Sequence, residues 1–395
     1  MLPLNWQRVR LGDVAEIKRG ASPRPIENPK WFCTNSNVGW VRISDISKNS
    51  RFLYKTAQKL SKKGIEKSRL VKQNSLIMSM CATIGKPIIT KIDTCIHDGF
   101  VVFENPKIDL NYLYYFLCYI EKEWLESGQQ GSQINLNVDL IKNKEVFYPK
   151  DLNEQIAIAN ILSNVDRYLY SLDALILKKE SVKKALSFEL LSQRKRLKGF
   201  NQNWQRVRLG DICEFGNGEA YETLIVENGD FKLISLNSID IDGNLKNTMK
   251  RVNFYDNSLK QDDIVMVLSD VAHGDFLGLC AVIPSNDYVL NQRMGRLRIR
   301  NDCINILFLR LYINANQKYF KMQGQGSSQL NLSKKAIEDF EIPLPPLNEQ
   351  AAIANILSDV DNEIISLKNK KRQFENIKKA LNHDLMSAKI RVLKK

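Results

Sequence analysis

The chain of 395 residues contains the same unit twice, and this internal repeat limits its fold more than any other feature. Residues 152–166 return as residues 347–361 with two differences in fifteen positions, at a shift of 195 residues. The nine residues 5–13 recur without change as residues 203–211. Repeats of solenoid proteins are only about 20–50 residues long. The sequence therefore predicts a duplicated pair of domains.

The composition is that of a globular protein with a basic excess. Hydrophobic residues make up 44% of the chain and charged residues 26%, which is typical of folded domains. The net charge of +14 is uneven, because residues 1–150 contain 23 basic and 14 acidic side chains, whereas residues 199–345 contain 16 and 18. A basic excess favours a polyanionic partner, nucleic acid above all. No signal sequence or membrane-spanning run is visible, so we expect a soluble, cytoplasmic protein without a membrane partner.

The order of sequence patterns predicts an α+β fold in four parts. These parts are a globule at 1–150, a helical region at 151–198, a second globule at 199–345 and a second helical region at 346–395. Within the globules, apolar alternation predicts strands over 38–46 and 230–241. Apolar stripes predict globule helices over 111–127 and 305–319.

Each helical region carries an apolar stripe with alternating spacings of three and four residues, which is the seam of a coiled coil. The predicted seam residues are Ile158, Leu162, Val165, Leu169, Leu172 and Ile176 in the first copy and Ile353, Leu357, Val360, Ile364, Leu367 and Phe374 in the second. A helix from Glu154 to about Gln193 would be on the order of 60 Å long, too long for the preceding globule alone. We therefore predict that the two helices pair with each other. The alternative is that each helix packs on its own globule.

The helical regions and their borders are nearly identical in the two halves, whereas the globules differ. A third matched pair, residues 183–191 and 378–386, lies near the ends of the helices. This contrast predicts that the helical parts serve one shared partner or geometry. It also predicts that the globules recognise two different ligands.

Residues for catalysis are not evident in the sequence. The three histidines lie in unrelated settings and the seven cysteines form no CxxC pair, so neither a metal cluster nor a catalytic triad is indicated. The segment Asn28-Pro29-Lys30-Trp31 is weakly similar to the Asn-Pro-Pro-aromatic motif of amino-group DNA methyltransferases, with Lys in place of the second Pro. We predict a recognition or scaffold protein with no catalytic and no metal-binding residues. The alternatives are a stand-alone DNA methyltransferase and a protein-only coiled-coil adaptor.

Side chains suited to nucleic acid occur in both globules. The strand Arg296-Leu-Arg298-Ile-Arg300 places three guanidinium groups on one face. Asn291-Gln292-Arg293 before it offers bidentate partners for adenine or guanine edges. Two loops rich in Gly, Ser and Gln, at 128–133 and 323–329, offer groups for phosphate and base-edge contacts. The predicted DNA-binding residues are Lys18, Arg19, Arg24, Lys30, Arg42, Lys86, Gln130, Ser132, Gln133, Asn291, Gln292, Arg293, Arg296, Arg298, Arg300, Gln325, Ser327, Ser328 and Gln329.

Two divergent globules, each followed by a nearly identical helix, resemble the specificity (S) subunit of a type I restriction-modification system over the whole chain. The most specific motifs are Ile342-Pro-Leu-Pro-Pro-Leu-Asn-Glu-Gln350 and the paired openings Trp-x-x-Val-x-Leu-Gly-Asp at Trp6 and Trp204. The first copy departs from the pattern at Tyr148-Pro-Lys-Asp151, where the second has Pro345-Pro346. That difference concerns the entry into the first long helix and leaves the resemblance intact.

The resemblance implies a function that the residues alone do not give. In that family each globule is a target recognition domain that binds one half of a split site in double-stranded DNA, and the helices pair antiparallel as a spacer. The helical regions dock two modification (methyltransferase) subunits, and restriction (endonuclease and translocase) subunits join them. S-adenosylmethionine, ATP and Mg²⁺ then belong to the partner subunits, with no cofactor on this chain. The docking residues would be Asn153, Glu154, Gln155, Asn348, Glu349 and Gln350.

Overall fold

The structure, a computed structural model, describes residues 3–49, 51–127, 136–271 and 274–392. Its contacts divide the chain into two compact units. The first unit comprises Met1–Asp173 and Asn369–Lys395, and the second comprises Ala174–Lys368. Each unit therefore joins one globule to the beginning of one long helix and the end of the other. The predicted boundaries at 150, 198 and 345 stay a prediction, since the compact units cut both helices instead.

The first unit contains a large and a small sheet. Its strands are β1 Trp6–Arg10, β2 Glu16–Arg19, β3 Gly39–Val41, β4 Phe52–Leu53, β5 Gln58–Lys59, β6 Arg69–Val71, β7 Leu76–Ser79, β8 Pro87–Thr90, β9 Thr94–Ile96, β10 Phe100–Glu104 and β11 Glu145–Pro149. Its helices are α1 Leu11–Val14, α2 Ile43–Ser47, α3 Lys62–Glu66, α4 Leu110–Tyr119, α5 Glu121–Ser127, α6 Val138–Asn143 and the start of α7 Leu152–Leu191. The large sheet has the order β2-β10-β7-β8-β4, the small sheet β5-β3-β9-β6, and β1 pairs with β11.

The second unit repeats this plan with fewer strands in each sheet. Its strands are β12 Gln205–Arg208, β13 Cys213–Asn217, β14 Phe231–Ile234, β15 Lys250–Val252, β16 Ile264–Val267, β17 Ser269–Val271, β18 Cys280–Val282, β19 Tyr288–Leu290, β20 Met294–Ile299, β21 Gln329–Asn331 and β22 Glu341–Leu344. Its helices are α8 Leu209–Ile212, α9 Ile306–Ala315, α10 Gln317–Gln323, α11 Lys334–Glu338 and the start of α12 Leu347–Met386. The sheets have the orders β13-β20-β16-β18 and β15-β14-β19, with the pairs β12-β22 and β17-β21.

The repeated opening motif forms the same small structure in both units. The Arg10 amide donates to the Asp13 carboxylate at 3.2 Å, and the Arg208 amide donates to Asp211 at the same distance. Each carboxylate thus accepts from an amide that the start of a short helix leaves unpaired. This local requirement accounts for the aspartate at the same position of both motifs.

The long helices run antiparallel to each other within each unit. The ion pairs between them, with nitrogen–oxygen distances of 2.5–2.7 Å, are Asp166–Lys378 and Asp173–Lys371 in the first unit and Lys179–Glu363 and Lys183–Asp361 in the second. As the residue number rises along α7, that of its partner falls along α12. The pairs Asp166–Lys378 and Asp361–Lys183 are equivalent under the internal repeat. The predicted α+β fold with an antiparallel pair of long helices is confirmed.

The predicted seam is mostly buried. Seven of its members are buried, namely Ile158, Leu162, Leu172, Ile176, Ile353, Leu357 and Ile364. The partly exposed members are Val165, Leu169, Val360, Leu367 and Phe374. Ile158 and Leu162 share the core of the first globule with Leu385 and Met386 of α12. The beginning of α7 therefore packs on its own globule and on the other helix together.

Two predicted strands are shorter in the structure. The strand expected over 38–46 ends at Val41, because α2 begins at Ile43. Its Asp45 carboxylate accepts the Arg42 amide at 2.9 Å, which favours a helical turn over an extended chain. The strand expected over 230–241 ends at Ile234 and is followed by the 3₁₀ turn Leu236–Ser238. No helix in the described ranges is long and apolar enough to cross a membrane.

Candidate nucleic-acid interface

Three segments of the second globule meet where its Gly/Ser/Gln loop returns to the sheet. The Leu268 amide donates to the Arg293 carbonyl at 3.0 Å, and the Leu332 amide donates to the Leu268 carbonyl at 2.9 Å. The loop leads into β21, which pairs with β17. The turn 291–293 and the strand that follows the loop 323–329 therefore both adjoin the segment at Leu268, and both the turn and the loop are predicted to bind DNA.

The first globule brings the equivalent segments together. The Met80 amide donates to the Gly99 carbonyl at 2.8 Å, and the Leu136 amide donates to the Met80 carbonyl at 3.0 Å. Leu136 follows the first Gly/Ser/Gln loop as Leu332 follows the second. We use the term loop end for residues 19–24, 80–85 and 97–99 of the first globule and residues 217–222, 268–271, 291–293 and 324–331 of the second.

Asp98 organises the loop end of the first globule. Ser22 Oγ donates to its carboxylate at 2.6 Å, and Arg24 pairs with it at 3.0 Å. The Ser22 hydrogen bond and the Arg24 charge hold the pKa of the Asp98 carboxyl below its usual value. Arg19 Nε donates to the Asp98 carbonyl at 2.7 Å. The structure thus brings two of the predicted arginines, both exposed, to Asp98, Arg24 to its carboxylate and Arg19 to its backbone carbonyl. The sequence did not single out this aspartate.

His97 adjoins this cluster and stays neutral. Its ring contacts Phe100 at a centroid distance of 4.6 Å and Trp40 at 5.8 Å. Burial lowers the pKa of His97 to about 4. The Gly99 amide donates to His97 Nδ1 at 2.9 Å, which fits a neutral imidazole with its acceptor nitrogen at this position.

In the second globule the turn 291–293 presents one exposed side chain. Asn291 is buried, accepts the Tyr221 amide at 3.0 Å and donates to Glu222 at 2.9 Å. Its amide group is therefore committed to holding the adjacent loop. Gln292 is partly exposed, whereas Arg293 is exposed and lies in the left-handed backbone region at φ +67°. Of the three, Arg293 is the one best placed for an external ligand.

The three arginines at 296, 298 and 300, of which the first two lie on β20, differ in how their charges are paired. Arg296 Nη2 donates to Glu214 at 2.7 Å, and its side chain is 14% exposed. Arg298 binds buried Asp263 through two nitrogens, at 2.8 and 2.6 Å. Both guanidinium groups are occupied by internal ion pairs because β20 lies inside the sheet between β13 and β16. Arg300 alone is exposed.

The remaining predicted cations of the first globule differ in their exposure and in their partners. Lys18 lies between Glu16 and Glu104, at 2.9 and 2.6 Å, and so belongs to an internal cluster. Lys30 is exposed above the Trp31 ring at 4.3 Å. Arg42 donates to Gln58 at 2.9 Å, and Lys86 lines a groove of about 560 Å³ beside the long helices.

The predicted loop amides and hydroxyls divide between described and undescribed residues. Gln325, Ser327 and Ser328 are exposed, and Gln329 is partly exposed at the start of β21. Gln130, Ser132 and Gln133 lie outside the described residues.

The glutamines of the repeated Asn-Glu-Gln motif are buried and hold the start of each long helix in place. Gln155 accepts the Asp109 amide at 2.8 Å and donates to the Pro149 carbonyl at 2.8 Å. Gln350 accepts the Asn305 amide at 2.7 Å and donates to the Pro345 carbonyl at 2.8 Å. Each glutamine thus fastens the start of a long helix to the start of a globule helix. Both are buried and their amide groups are committed to these internal hydrogen bonds, while their predicted part in docking a partner stays a prediction.

The two glutamates of the motif have different surroundings. Glu349 is fully buried, binds Arg196 at 2.7 Å and accepts from Trp204 Nε1 at 3.0 Å. Glu154 is partly exposed and accepts from Asn5 at 2.8 Å. The asparagines of the motif, Asn153 and Asn348, are exposed. Of the predicted docking residues, then, Asn153, Asn348 and in part Glu154 remain accessible.

The methyltransferase alternative has no support in the local structure. The Asn28 side chain accepts the Lys30 amide at 3.1 Å and thereby caps the 3₁₀ turn Pro29–Trp31. The Trp31 indole donates to the Pro25 carbonyl at 2.8 Å, which holds the same turn. Among the residues that the structure describes, no group of three or more His, Cys, Asp or Glu side chains could hold a metal ion.

The predicted residues omit several exposed lysines of the first globule. Lys59, Lys62, Lys63 and Lys67 are exposed around β5 and α3. A local count of charge along the sequence could have identified them, because the basic excess of this globule is concentrated there. Asp98 carries no such signal, since an acidic residue is not a pattern for binding a polyanion.

The two halves match one family model separately. The model described as "Type I restriction modification DNA specificity domain" matches residues 3–179 and again residues 201–376. The type I restriction enzyme MjaVIII specificity subunit of Methanocaldococcus jannaschii is 27% identical, over 99% of this chain and 94% of that one. The type I restriction enzyme EcoprrI specificity subunit of Escherichia coli is 26% identical over 42% of this chain and 42% of its own length.

Solved structures agree with the fold. The crystal structure of the S subunit of a type I restriction-modification system from M. genitalium has a TM-score of 0.63 and 17% identity, covering 96% of each chain. A structure from a study of the assembly and conformational transition of the type I restriction-modification system has a TM-score of 0.61 and 16% identity, covering 98% of each chain. At these identities the likeness concerns the fold.

Proposed function

Because this chain belongs to the family of type I restriction-modification DNA specificity proteins, whose model matches both halves, we propose that it binds a bipartite, gapped site in double-stranded DNA. The chain is a recognition subunit and not itself an enzyme. Each globule would bind one half of the site. The two alternatives, a stand-alone methyltransferase and a protein-only adaptor, are not favoured.

The observation that carries this proposal is the pair of loop ends. Both globules join the same three segments through equivalent backbone hydrogen bonds, Gly99–Met80–Leu136 and Arg293–Leu268–Leu332. The side chains on this shared frame differ: Arg19, Arg24 and Asp98 in one globule, Arg293 and the 325–328 loop in the other. A common frame with different exposed groups is what two readers of different half-sites require.

We assign the positioning of partners to the long helices. They are the part of the chain that the repeat keeps nearly constant, which suits two copies of one modification subunit. Leu152 and Leu347, the equivalent first residues of α7 and α12, are about half exposed, next to the exposed asparagines. Restriction subunits would join the same complex. S-adenosylmethionine, ATP and Mg²⁺ are assigned to these partner subunits, and the location of the complex to the cytoplasm.

The test is the methylome of a host that carries this chain with its modification subunit. We expect methyladenine in one gapped two-part motif. Replacement of the first globule should change one part of the motif, and replacement of the second should change the other. A continuous motif, or methylation that persists without this chain, would contradict the proposal.

Helix length offers a second test of the same function. Removal of one heptad from α7 and from α12 should change the gap between the two parts of the motif or abolish binding. The matched control removes residues from an exposed globule loop, which should leave the gap unchanged. An unaltered gap after the double heptad deletion would show that the helices do not set it.

A further inference from the structure

The two globules differ strongly in charge in one pair of equivalent segments, which lies outside the loop ends. Residues 26–71, called the basic lobe below, contain ten basic and three acidic side chains. The repeat-equivalent residues 221–266 contain five basic and eight acidic side chains. Most of the basic excess of the first globule therefore resides in this one segment.

Five lysines of the basic lobe are exposed and close in the structure. Lys59 lies on β5, the edge strand of the small sheet, and Lys62 and Lys63 lie on α3. Lys67 follows α3 directly, and Lys30 belongs to the turn that α3 contacts. In the part of the chain that the structure describes, none of these five has a carboxylate within 4 Å.

The few acidic residues of the lobe do not compensate this charge. Asp45 is buried and accepts the backbone amides of Arg42 and Ala57, at 2.9 and 3.0 Å. Glu27 and Glu66 are exposed and form no ion pair among the described residues. The positive charge of the lysines is therefore not neutralised by ion pairs within the described part of the lobe and can attract an anionic ligand.

The basic lobe is continuous with the loop end of its globule. The Trp31 indole donates to the Pro25 carbonyl at 2.8 Å, next to Arg24, which pairs with Asp98. On the other side, the Ser61 hydroxyl donates to the Lys30 carbonyl at 2.7 Å, directly before α3. These hydrogen bonds join the loop end, the turn at Lys30 and α3 into one structure, so a ligand on the loop end can extend toward the lysines.

We propose that Lys30, Lys59, Lys62, Lys63 and Lys67 bind the DNA phosphate backbone beside the half-site that the first loop end contacts. This inference rests on the proposed function. Lysine is a flexible point charge suited to phosphate and carries no base preference, so this face adds affinity and not sequence choice. In the second globule the equivalent segment has more acidic than basic residues, so it offers no comparable excess of positive charge. The electrostatic part of DNA binding then comes mainly from the first globule.

The test uses the full chain assembled with its modification subunits and a duplex that contains the methylated motif. The variant changes Lys59, Lys62, Lys63 and Lys67 to Gln. The matched control changes Lys107, Lys122, Lys142 and Lys150 to Gln, four exposed lysines of the same globule outside the basic lobe. Both variants lose the same net charge. The affinity is measured at several salt concentrations, and thermal unfolding verifies that each variant is folded.

Each lysine that neutralises one phosphate adds about 0.9 to the slope of log affinity against log salt. For four such contacts, the basic-lobe variant should show a slope smaller by about 3 to 4. Between 50 and 200 mM salt, the unaltered complex should therefore lose about a hundred-fold more affinity than this variant. The control should keep the original slope, and the methylated motif should be the same in all three.

The outcomes separate the inference from the proposed function. Equal slopes in the basic-lobe variant and the unaltered complex overturn the inference while DNA binding stands. An equal decrease in both quadruple variants also overturns it, because the effect would then be one of net charge. Failure of the unaltered complex to prefer its motif overturns the proposed function itself.

Discussion

The basic lobe and its counterpart, residues 221–266, have the same backbone plan and opposite charge. In both, the first strand of the small sheet pairs parallel with a later strand and antiparallel with an edge strand, as β3 does with β9 and β5, and β14 with β19 and β15. One lobe nevertheless has a basic excess of seven and the other an acidic excess of three. Backbone pairing thus constrains the buried residues, and the exposed face is free to vary.

The entries into the two long helices differ in the same way. Gln155 and Gln350 make equivalent hydrogen bonds, whereas Glu154 and Glu349 do not. Glu349 is enclosed by Arg196 and Trp204, while Glu154 faces the solvent and the Trp6 indole nitrogen has no hydrogen-bond partner in the described structure. Identical sequence therefore does not ensure identical contacts. Mutations of these matched pairs can measure how far the equivalence of the two halves extends.

The largest difference is expected between the two glutamates. Glu349→Ala leaves the Arg196 charge and the Trp204 indole without their acceptor in a buried place, and should lower the free energy of unfolding by about 3 kcal/mol. Glu154→Ala removes one exposed hydrogen bond and should cost less than about 1 kcal/mol. Urea unfolding measures both, and hydrogen exchange locates the effect in the second unit. Equal losses would mean that Glu154 is as enclosed as Glu349.

The two glutamines should instead behave alike. Gln155→Ala and Gln350→Ala each leave buried backbone groups unpaired, which should cost about 1–3 kcal/mol. The control is Asn153→Ala, whose exposed side chain should matter by less than about 0.5 kcal/mol. Unfolding experiments on the three variants suffice. A neutral Gln350→Ala beside a costly Gln155→Ala would break the equivalence of the two helix entries.

A smaller effect should appear with pH, at His97 of the first half. Burial lowers the folded-state pKa of His97 to about 4, below the value of about 6.5 in an unfolded chain. The stabilisation is therefore complete above pH 6.5 and is lost as the pH falls toward 4. Between pH 7.5 and 6 the loss should be under about 1 kcal/mol.

Gln292 corresponds to His97 in the second half at the repeat's shift of 195 residues, and its amide side chain does not titrate. His97→Gln should therefore remove this part of the pH dependence, as measured by thermal unfolding over that range. Persistence of the full pH dependence in His97→Gln would assign it to other groups.

The repeat made the architecture predictable from the sequence. The spacing of Ile158, Leu162 and their equivalents indicated two long helices, and their length indicated that they pair. Helix seams are local patterns, so one sequence suffices to find them. The prediction of a strand over 38–46 was wrong beyond Val41, because the Asp45 cap favours a helical turn there. The apolar alternation on which the prediction rested contains no information about that hydrogen bond.

The candidate interface was predictable only in part. The turn 291–293 and the loop 323–329 were found by composition, and in the structure the turn and the strand after the loop both adjoin the segment at Leu268. The sequence could not show that Arg296 and Arg298 form ion pairs, because their partners, Glu214 and Asp263, are distant in sequence. The residue type alone does not tell whether an arginine is exposed or neutralised by an ion pair. Only the fold distinguishes them.

The division of the chain into units has a consequence for its synthesis. The second unit, Ala174–Lys368, is one continuous stretch and can fold once the ribosome has released it. The first unit needs Leu385 and Met386 to complete a core that begins at Trp6. The globule made first is therefore finished last. Premature termination within about the last thirty codons would therefore disrupt the core of the first globule and leave that of the second intact.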